Sequence, residues 1–138
     1  GLAGGPGLVA VGYDQLSETG RIDAVAVVWT STDGVDWMRH RVDESEGVPG
    51  FRGMSGVVSF GVELVAVGSD DTGGDSEAAV WTSPDGARWT RLTDDEAVFG
   101  GPGSQAMGGV VSAGSLLIAI GWDDSTGNHD AAVWLGEP

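Results

Sequence analysis

Acidic side chains concentrate in this sequence where a cation or a sugar would need them. Three segments, 13–23, 69–75 and 122–130, each follow a run of the form Leu-(Val/Ile)-Ala-(Val/Ile)-Gly. Asp70, Asp71 and Asp75 in the second, with Asp123, Asp124 and Asp130 in the third, supply the oxygen donors that Ca²⁺ takes, without the twelve-residue spacing of an EF-hand. The residue opening each segment is Tyr13, Ser69 or Trp122. Tyr13 and Trp122 offer flat apolar faces on which a sugar ring can stack, and Asp123 stands beside Trp122 to bind hydroxyls. Repeated weak sites of this kind gain avidity on a polymeric glycan. The competing reading is a set of solvated turns whose Asp and Gly residues satisfy local backbone groups.

Other chemistries find less support. With 21 Asp and Glu, some carboxylate pairs fall at glycosidase separations (roughly 5 Å or 6.5–9.5 Å) by chance. His40 and His129 belong to no metal-ligand spacing and no Cys joins them, so both read as surface histidines. There is no Lys, which excludes a phosphate-binding P-loop. Of the six Arg residues only Arg39 and Arg91 recur at equivalent places.

Composition narrows the class. The chain has 138 residues, 41% of them hydrophobic and six of them Trp, too apolar for simple disorder. Its 25 Gly follow no three-residue period, so it is not collagen-like, and without Cys it has no disulfide framework. A net charge of −15 repels nucleic-acid backbones and anionic membranes. No cationic segment leads into an apolar run, and no run approaches a membrane span. The chain begins at Gly1, as a processed product or an excised piece would. Acidic, Asp-rich repeats suit a secreted or cell-surface setting.

The elements that position these residues are repeated. Leu8-Val-Ala-Val-Gly12 returns as Leu64-Val-Ala-Val-Gly68 and Leu117-Ile-Ala-Ile-Gly121. Ala26-Val-Val-Trp29 returns as Ala78-Ala-Val-Trp81 and Ala131-Ala-Val-Trp134, and Met54-Ser-Gly-Val-Val-Ser as Met107-Gly-Gly-Val-Val-Ser. Each block is short, rich in Val, Ile and Trp, and bounded by Gly or Asp-Gly, which predicts strands and no helix of length. The middle unit has strands near 55–60, 63–68, 77–82 and 87–92. About ten strands are expected, split three, four and three. A single repeat domain over 1–138 divides into units 1–41 (first strand truncated), 54–93 and 106–138 (fourth strand missing), joined by loops 42–53 and 94–105, which carry Phe51 and Phe99.

Four-stranded antiparallel sheets repeated every 50 or so residues, with Gly, Ala and Val in the crowded strands, predict β-propeller blades. Trp29, Trp81 and Trp134, with Met54 and Met107, are the expected core between blades. Three blades leave a ring open, and exposed sheet edges invite association. The expected solution is a homo-oligomer, a dimer favoured, that closes the ring head to tail.

A second repeated block carries a resemblance. Ser31-Thr-Asp33-Gly34-Val-Asp-Trp37 and Ser83-Pro-Asp85-Gly86-Ala-Arg-Trp89 resemble the Asp-box (BNR repeat) of sialidase-like propellers, in a shortened form with Asp and Gly adjacent. The resemblance implies hairpins between third and fourth strands that serve the fold, with Ser31, Asp33, Gly34, Trp37, Ser83, Asp85, Gly86 and Trp89 as structural residues. A sialidase-like hydrolase would also need an arginine cluster, a Tyr–Glu nucleophile pair and an acid. One Tyr and scattered Arg do not supply them. The sequence therefore predicts a non-catalytic, acidic propeller scaffold or recognition module for glycan or protein, with no cofactor beyond calcium in the acidic loops. The alternative is a piece of a sialidase-like or other glycoside hydrolase that lacks its catalytic residues.

Overall fold

The structure, a computed structural model, describes residues 1–4, 7–18, 21–42, 50–71, 75–92, 103–124 and 127–136. Among them the regular elements are all strands: β1 (Leu2–Gly4), β2 (Leu8–Glu18), β3 (Arg21–Ser31), β4 (Met38–Arg41), β5 (Arg52–Phe60), β6 (Glu63–Asp70), β7 (Glu77–Ser83), β8 (Thr90–Arg91), β9 (Gln105–Ala113), β10 (Leu116–Asp123) and β11 (Asp130–Gly136). They form three antiparallel sheets in sequence order, β1–β4, β5–β8 and β9–β11, each resembling a propeller blade. No described helix is long and apolar enough to cross a membrane.

Three details differ from the sequence expectation, the first being that the segment 13–23, expected as a connecting loop, carries β2 on to Glu18 and starts β3 at Arg21. The first sheet has four strands, because Leu2–Gly4 pairs with Leu8–Ala10 and the backbone of Gly1 bonds that of Val11. The fourth strand of the middle sheet is only Thr90–Arg91, since the preceding turn takes up residues 84–88. Phe99 and most of the expected connecting loops, 43–49 and 93–102, lie outside the described residues.

The apolar runs are nearly continuous because the middle sheet is covered on both faces. Along β6 and β7, Leu64, Ala66, Ala79 and Trp81 pack towards the first sheet, against Val9, Val11, Ala26 and Val28. Their alternates, Val65, Val67, Ala78 and Val80, pack towards the third, against Met107 and Ala119, with Leu117 and Trp134 partly buried beside them. Side chains alternate across a strand, so two flanking cores need apolar residues at every position. Trp81 and Trp134 thus fill equivalent inter-sheet spaces. Trp29, on the face of the first sheet turned away from the second, stays half-buried.

Glycine decides where the sheets touch. A Cβ added to Gly56 in β5 would lie 3.2 Å from the Cα of Gly109 in β9, and one on Gly1 would lie 2.8 Å from the Cα of Gly56. The first strands are therefore the place where neighbouring sheets come closest. Two of them, β5 and β9, also carry a bulge at the same point: Ser55 is extra between Met54↔Gly68 and Gly56↔Val67, and Gly108 between Met107↔Gly121 and Gly109↔Ile120. The bulge swings a carbonyl over the second strand. A Cβ on Gly68 would lie 1.9 Å from the Gly53 oxygen, and one on Gly121 the same distance from the Ala106 oxygen. That contact explains Gly68 and Gly121, which end the second and third Leu-(Val/Ile)-Ala-(Val/Ile)-Gly runs, whereas Gly12 of the first meets only the Trp29 ring at 3.5 Å.

Gly68→Ala is expected to destabilise the chain by at least ~3 kcal/mol, because only backbone movement relieves the clash. Gly108→Ala, with nothing nearer than 3.9 Å, should change stability by less than about 1 kcal/mol. Urea unfolding of the two variants checks the contrast.

Candidate functional site

The chemistry-bearing residues gather just past the repeated Gly of each second strand, at the end of β6 and β10 and midway along β2. The first acid after the repeated Gly stands at equivalent places as Asp14, Asp70 and Asp123. Asp14 binds Arg39, and Asp70 binds Arg91 at 2.7 Å with Glu77 3.8 Å from the same guanidinium. Arg39 and Arg91 sit on the fourth strands, so each pair ties the outermost strand to the second across the third. In the middle sheet the acid is buried, its side chain only 6% exposed, whereas Asp14 and Arg39 are well solvated. Asp123 instead accepts from the Gln105 amide at 3.4 Å.

The next acid forms a backbone clamp. The Asp71 N–H donates to the Phe51 carbonyl at 2.9 Å, and the Asp71 carboxylate accepts the Phe51 N–H in return. Asp124 and Ser104 repeat this pair of bonds one sheet later. Two charge-assisted bonds thus fix the chain at the entrance to β5 and β9. Among the described residues no three His, Cys, Asp or Glu side chains converge to hold a metal ion. Asp70, Asp71, Asp123 and Asp124 are engaged as above, Asp75 is exposed, and Asp130 lies opposite Asp123 at the start of β11.

The aromatic candidates occupy the same end. Tyr13 is half-exposed and meets Phe51 edge to face at 4.8 Å, over Gly53, whose bare Cα makes room for both rings. Trp122 leans on the His129 ring at 4.7 Å, and His129 Nε2 is 3.9 Å from Asp124. His40 bonds Thr30 Oγ1 at 2.8 Å. Both histidines therefore have local partners. Tyr13 and Trp122 lie on different sheets and no described contact joins them. Arg52 and Gln105, buried first-strand residues opposite Asp70 and Asp123, were not singled out from the sequence. Their place two residues before Met54 and Met107 was the available signal.

The turns between third and fourth strands lie at the other end of β3 and β7. Ser31 Oγ accepts from Gly34 N at 2.8 Å, and Asp33 Oδ1 accepts from Val35 N and Asp36 N at 2.8 and 3.0 Å. Ser83 and Asp85 reproduce every bond: Gly86 N at 2.8 Å, Ala87 N and Arg88 N at 2.9 Å. Gly34 and Gly86 take φ of 80° and 82°, and the indole N–H of Trp37 or Trp89 closes the turn on the Gly carbonyl. The N–H groups of Arg88 and Ala87 hold the Asp85 carboxyl at about 2. Those of Asp36 and Val35 lower Asp33 in the same way.

No protein-family model and no curated protein sequence matches the chain. Its fold is similar to that of the GH32 β-fructofuranosidase of Bombyx mori, with a TM-score of 0.58 at 13% identity over 99% of this chain and 31% of that one. A mutant of the same enzyme in complex with sucrose gives 0.52 at 14% identity, over 97% of this chain and 32% of that one. The chain thus spans about a third of the length of these relatives. The expected Asp-box (BNR repeat), sialidase-like membership is corrected by this likeness, which falls to a different glycosidase family. The physical reason is local. Ser, Asp, Gly and Trp at these spacings close a hairpin through bonds internal to the turn, so the turn carries no family information, and its adjacent Asp-Gly already departed from the box.

Arg91→Ala removes a cation from beside the buried Asp70 and should cost ~1–3 kcal/mol, a buried-pair loss reduced by the partial exposure of Arg91. Arg39→Ala should cost less than ~1 kcal/mol. Thermal midpoints of the two variants check the order. A second test concerns acid. A carboxyl titrating below its unfolded value of about 3.9 stabilises the fold above that pH and loses this contribution as pH falls towards its folded value. Wild-type stability should therefore drop between pH 4 and about 2, and Asp85→Asn should flatten part of that slope in chemical denaturation series.

Proposed function

We propose that this chain supplies three consecutive blades of a propeller of the glycoside hydrolase kind, with carbohydrate as its target and no catalytic groups of its own. The use of the acids that follow the repeated Gly carries this reading: Asp14, Asp70, Asp71 and Asp124 are spent on arginines and backbone amides, which builds a rigid floor rather than an acid–base pair. The likeness to a β-fructofuranosidase whose mutant was captured in complex with sucrose supports carbohydrate as the ligand class. Tyr13, half-exposed and propped by Phe51, is the stacking face.

The ring is closed by a second copy, head to tail. On the third sheet Ile120 and Val133 are 57% and 63% exposed, while their equivalents Val67 and Val80 are 2% and 8% exposed beneath the next sheet. At the other end Trp37 is 41% exposed where the equivalent Trp89 is 9%. The two open faces are the two halves of an interface that already occurs twice within the chain, so one copy's third sheet fits the other's first.

Light scattering over a concentration series should show a dimer, and Ile120→Glu should return the chain to 14.0 kDa. A monomer at every concentration overturns ring closure by a second copy. NMR titration with sucrose should give weak saturable shifts around Tyr13 that Tyr13→Ala abolishes, with no sugar released. Hydrolysis, or shifts that ignore Tyr13, overturns the carbohydrate reading as stated.

A further inference from the structure

The turns between third and fourth strands require a chemically reactive pair of residues. Asp33-Gly34 and Asp85-Gly86 are the Asp-Gly pairs of the chain. Gly is needed because φ is 80° and 82° there. Asp is needed because its carboxylate accepts the N–H groups of Val35 and Asp36, or of Ala87 and Arg88. The same pair is prone to isomerise, since Gly has no side chain to keep its nitrogen from the preceding carboxyl. In that reaction the Gly nitrogen attacks Asp Cγ. An N–C bond forms, a C–O bond of the protonated carboxyl breaks, and the amide proton leaves with the hydroxyl as water. Water then adds back to the cyclic imide. Addition at Cγ restores Asp, whereas addition at the backbone carbonyl carbon leaves the chain running through the β-carboxyl, as isoaspartate.

Ring closure is intramolecular, so its rate depends on how the two reacting groups are oriented. In each turn one hydroxyl holds both. Ser31 Oγ accepts from Gly34 N at 2.8 Å and donates to Asp33 Oδ1 at 3.1 Å. Ser83 Oγ accepts from Gly86 N at 2.8 Å and donates to Asp85 Oδ1 at 3.4 Å. Both serines are buried, which keeps water from competing for these bonds. The Gly carbonyl is held as well, by the indole N–H of Trp37 at 3.2 Å or of Trp89 at 2.8 Å. The bonds that depress the two carboxyls also disfavour the protonated form that loses water.

We infer that Ser31 and Ser83 protect Asp33-Gly34 and Asp85-Gly86 from isomerisation, each by fixing the Gly nitrogen and the Asp carboxylate apart from one another. Without the hydroxyl, Asp33 and Asp85 become isoaspartate sites. The role is local to each turn and stands apart from ring closure and from carbohydrate binding.

The test follows isoaspartate at each Asp by enzymatic methylation and chromatographic separation of the excised turn peptides, during long incubation in mildly acidic buffer below the unfolding transition. In the folded wild-type chain both sites should isomerise at least tenfold more slowly than in the same chain unfolded in urea. Ser31→Ala should speed Asp33 severalfold and leave Asp85 unchanged, and Ser83→Ala should do the reverse, so each variant carries its own control for loosening of the whole fold. Ser31→Thr, which keeps the hydroxyl, should hold Asp33 at the wild-type rate. Equal rates in folded and unfolded wild type, an unchanged rate at Asp33 in Ser31→Ala, or a rise at both sites in either alanine variant each overturns the inference.

Discussion

The middle sheet of this chain has two apolar faces and a neighbour on each. A lone antiparallel sheet can bury one face and solvate the other, which would give alternation of apolar and polar residues. Here the second and third strands of each unit are apolar at successive positions, so solvation of either face leaves valines, isoleucines and indoles in water. The middle sheet meets the requirement, with Val67 on one face and Trp81 on the other both about 2% exposed. The glycines at 1 and 56 permit it, because a side chain at either would press on the backbone of the next sheet. Stacking is thus the condition for folding, and it has no internal stopping point.

Repetition made much of this visible in the sequence. Three copies of the Leu-(Val/Ile)-Ala-(Val/Ile)-Gly run and of the Ala-x-Val-Trp run located the second and third strands, and Asp-Gly located the turns. What escaped was whatever the repeats do not mark. Leu2–Gly4 is too short to show a period, and it becomes a strand only because Leu8–Ala10 offers an edge. The bulges at Ser55 and Gly108 depend on pairing with Gly68 and Gly121, which no local pattern declares.

The acidic residues were legible in position but not in role. A sequence shows Asp70 and Asp71 side by side without showing that one turns in to Arg91 and the other back to the Phe51 amide. Adjacent residues on an extended chain point apart, so a run of carboxylates that looks like a cation cage is divided between two separate tasks. The same lesson applies to the Ser-x-Asp-Gly turns, whose complete set of bonds testifies to hairpin chemistry and not to ancestry. Arg52 and Gln105 were overlooked because polar residues at the mouth of an apolar strand look like loop, although both are buried.

The extra residue in β5 and β9 has a further meaning for how such a repeat can change. Met54 and Val57 both face the first sheet although three positions separate them, an odd interval that a regular strand would place on opposite sides. Ser55 absorbs the half-step. Loss of that one residue would rotate Met54 out of its core while leaving Val57 in place, so a single-codon deletion here breaks one of the two contacts that join β5 to the first sheet.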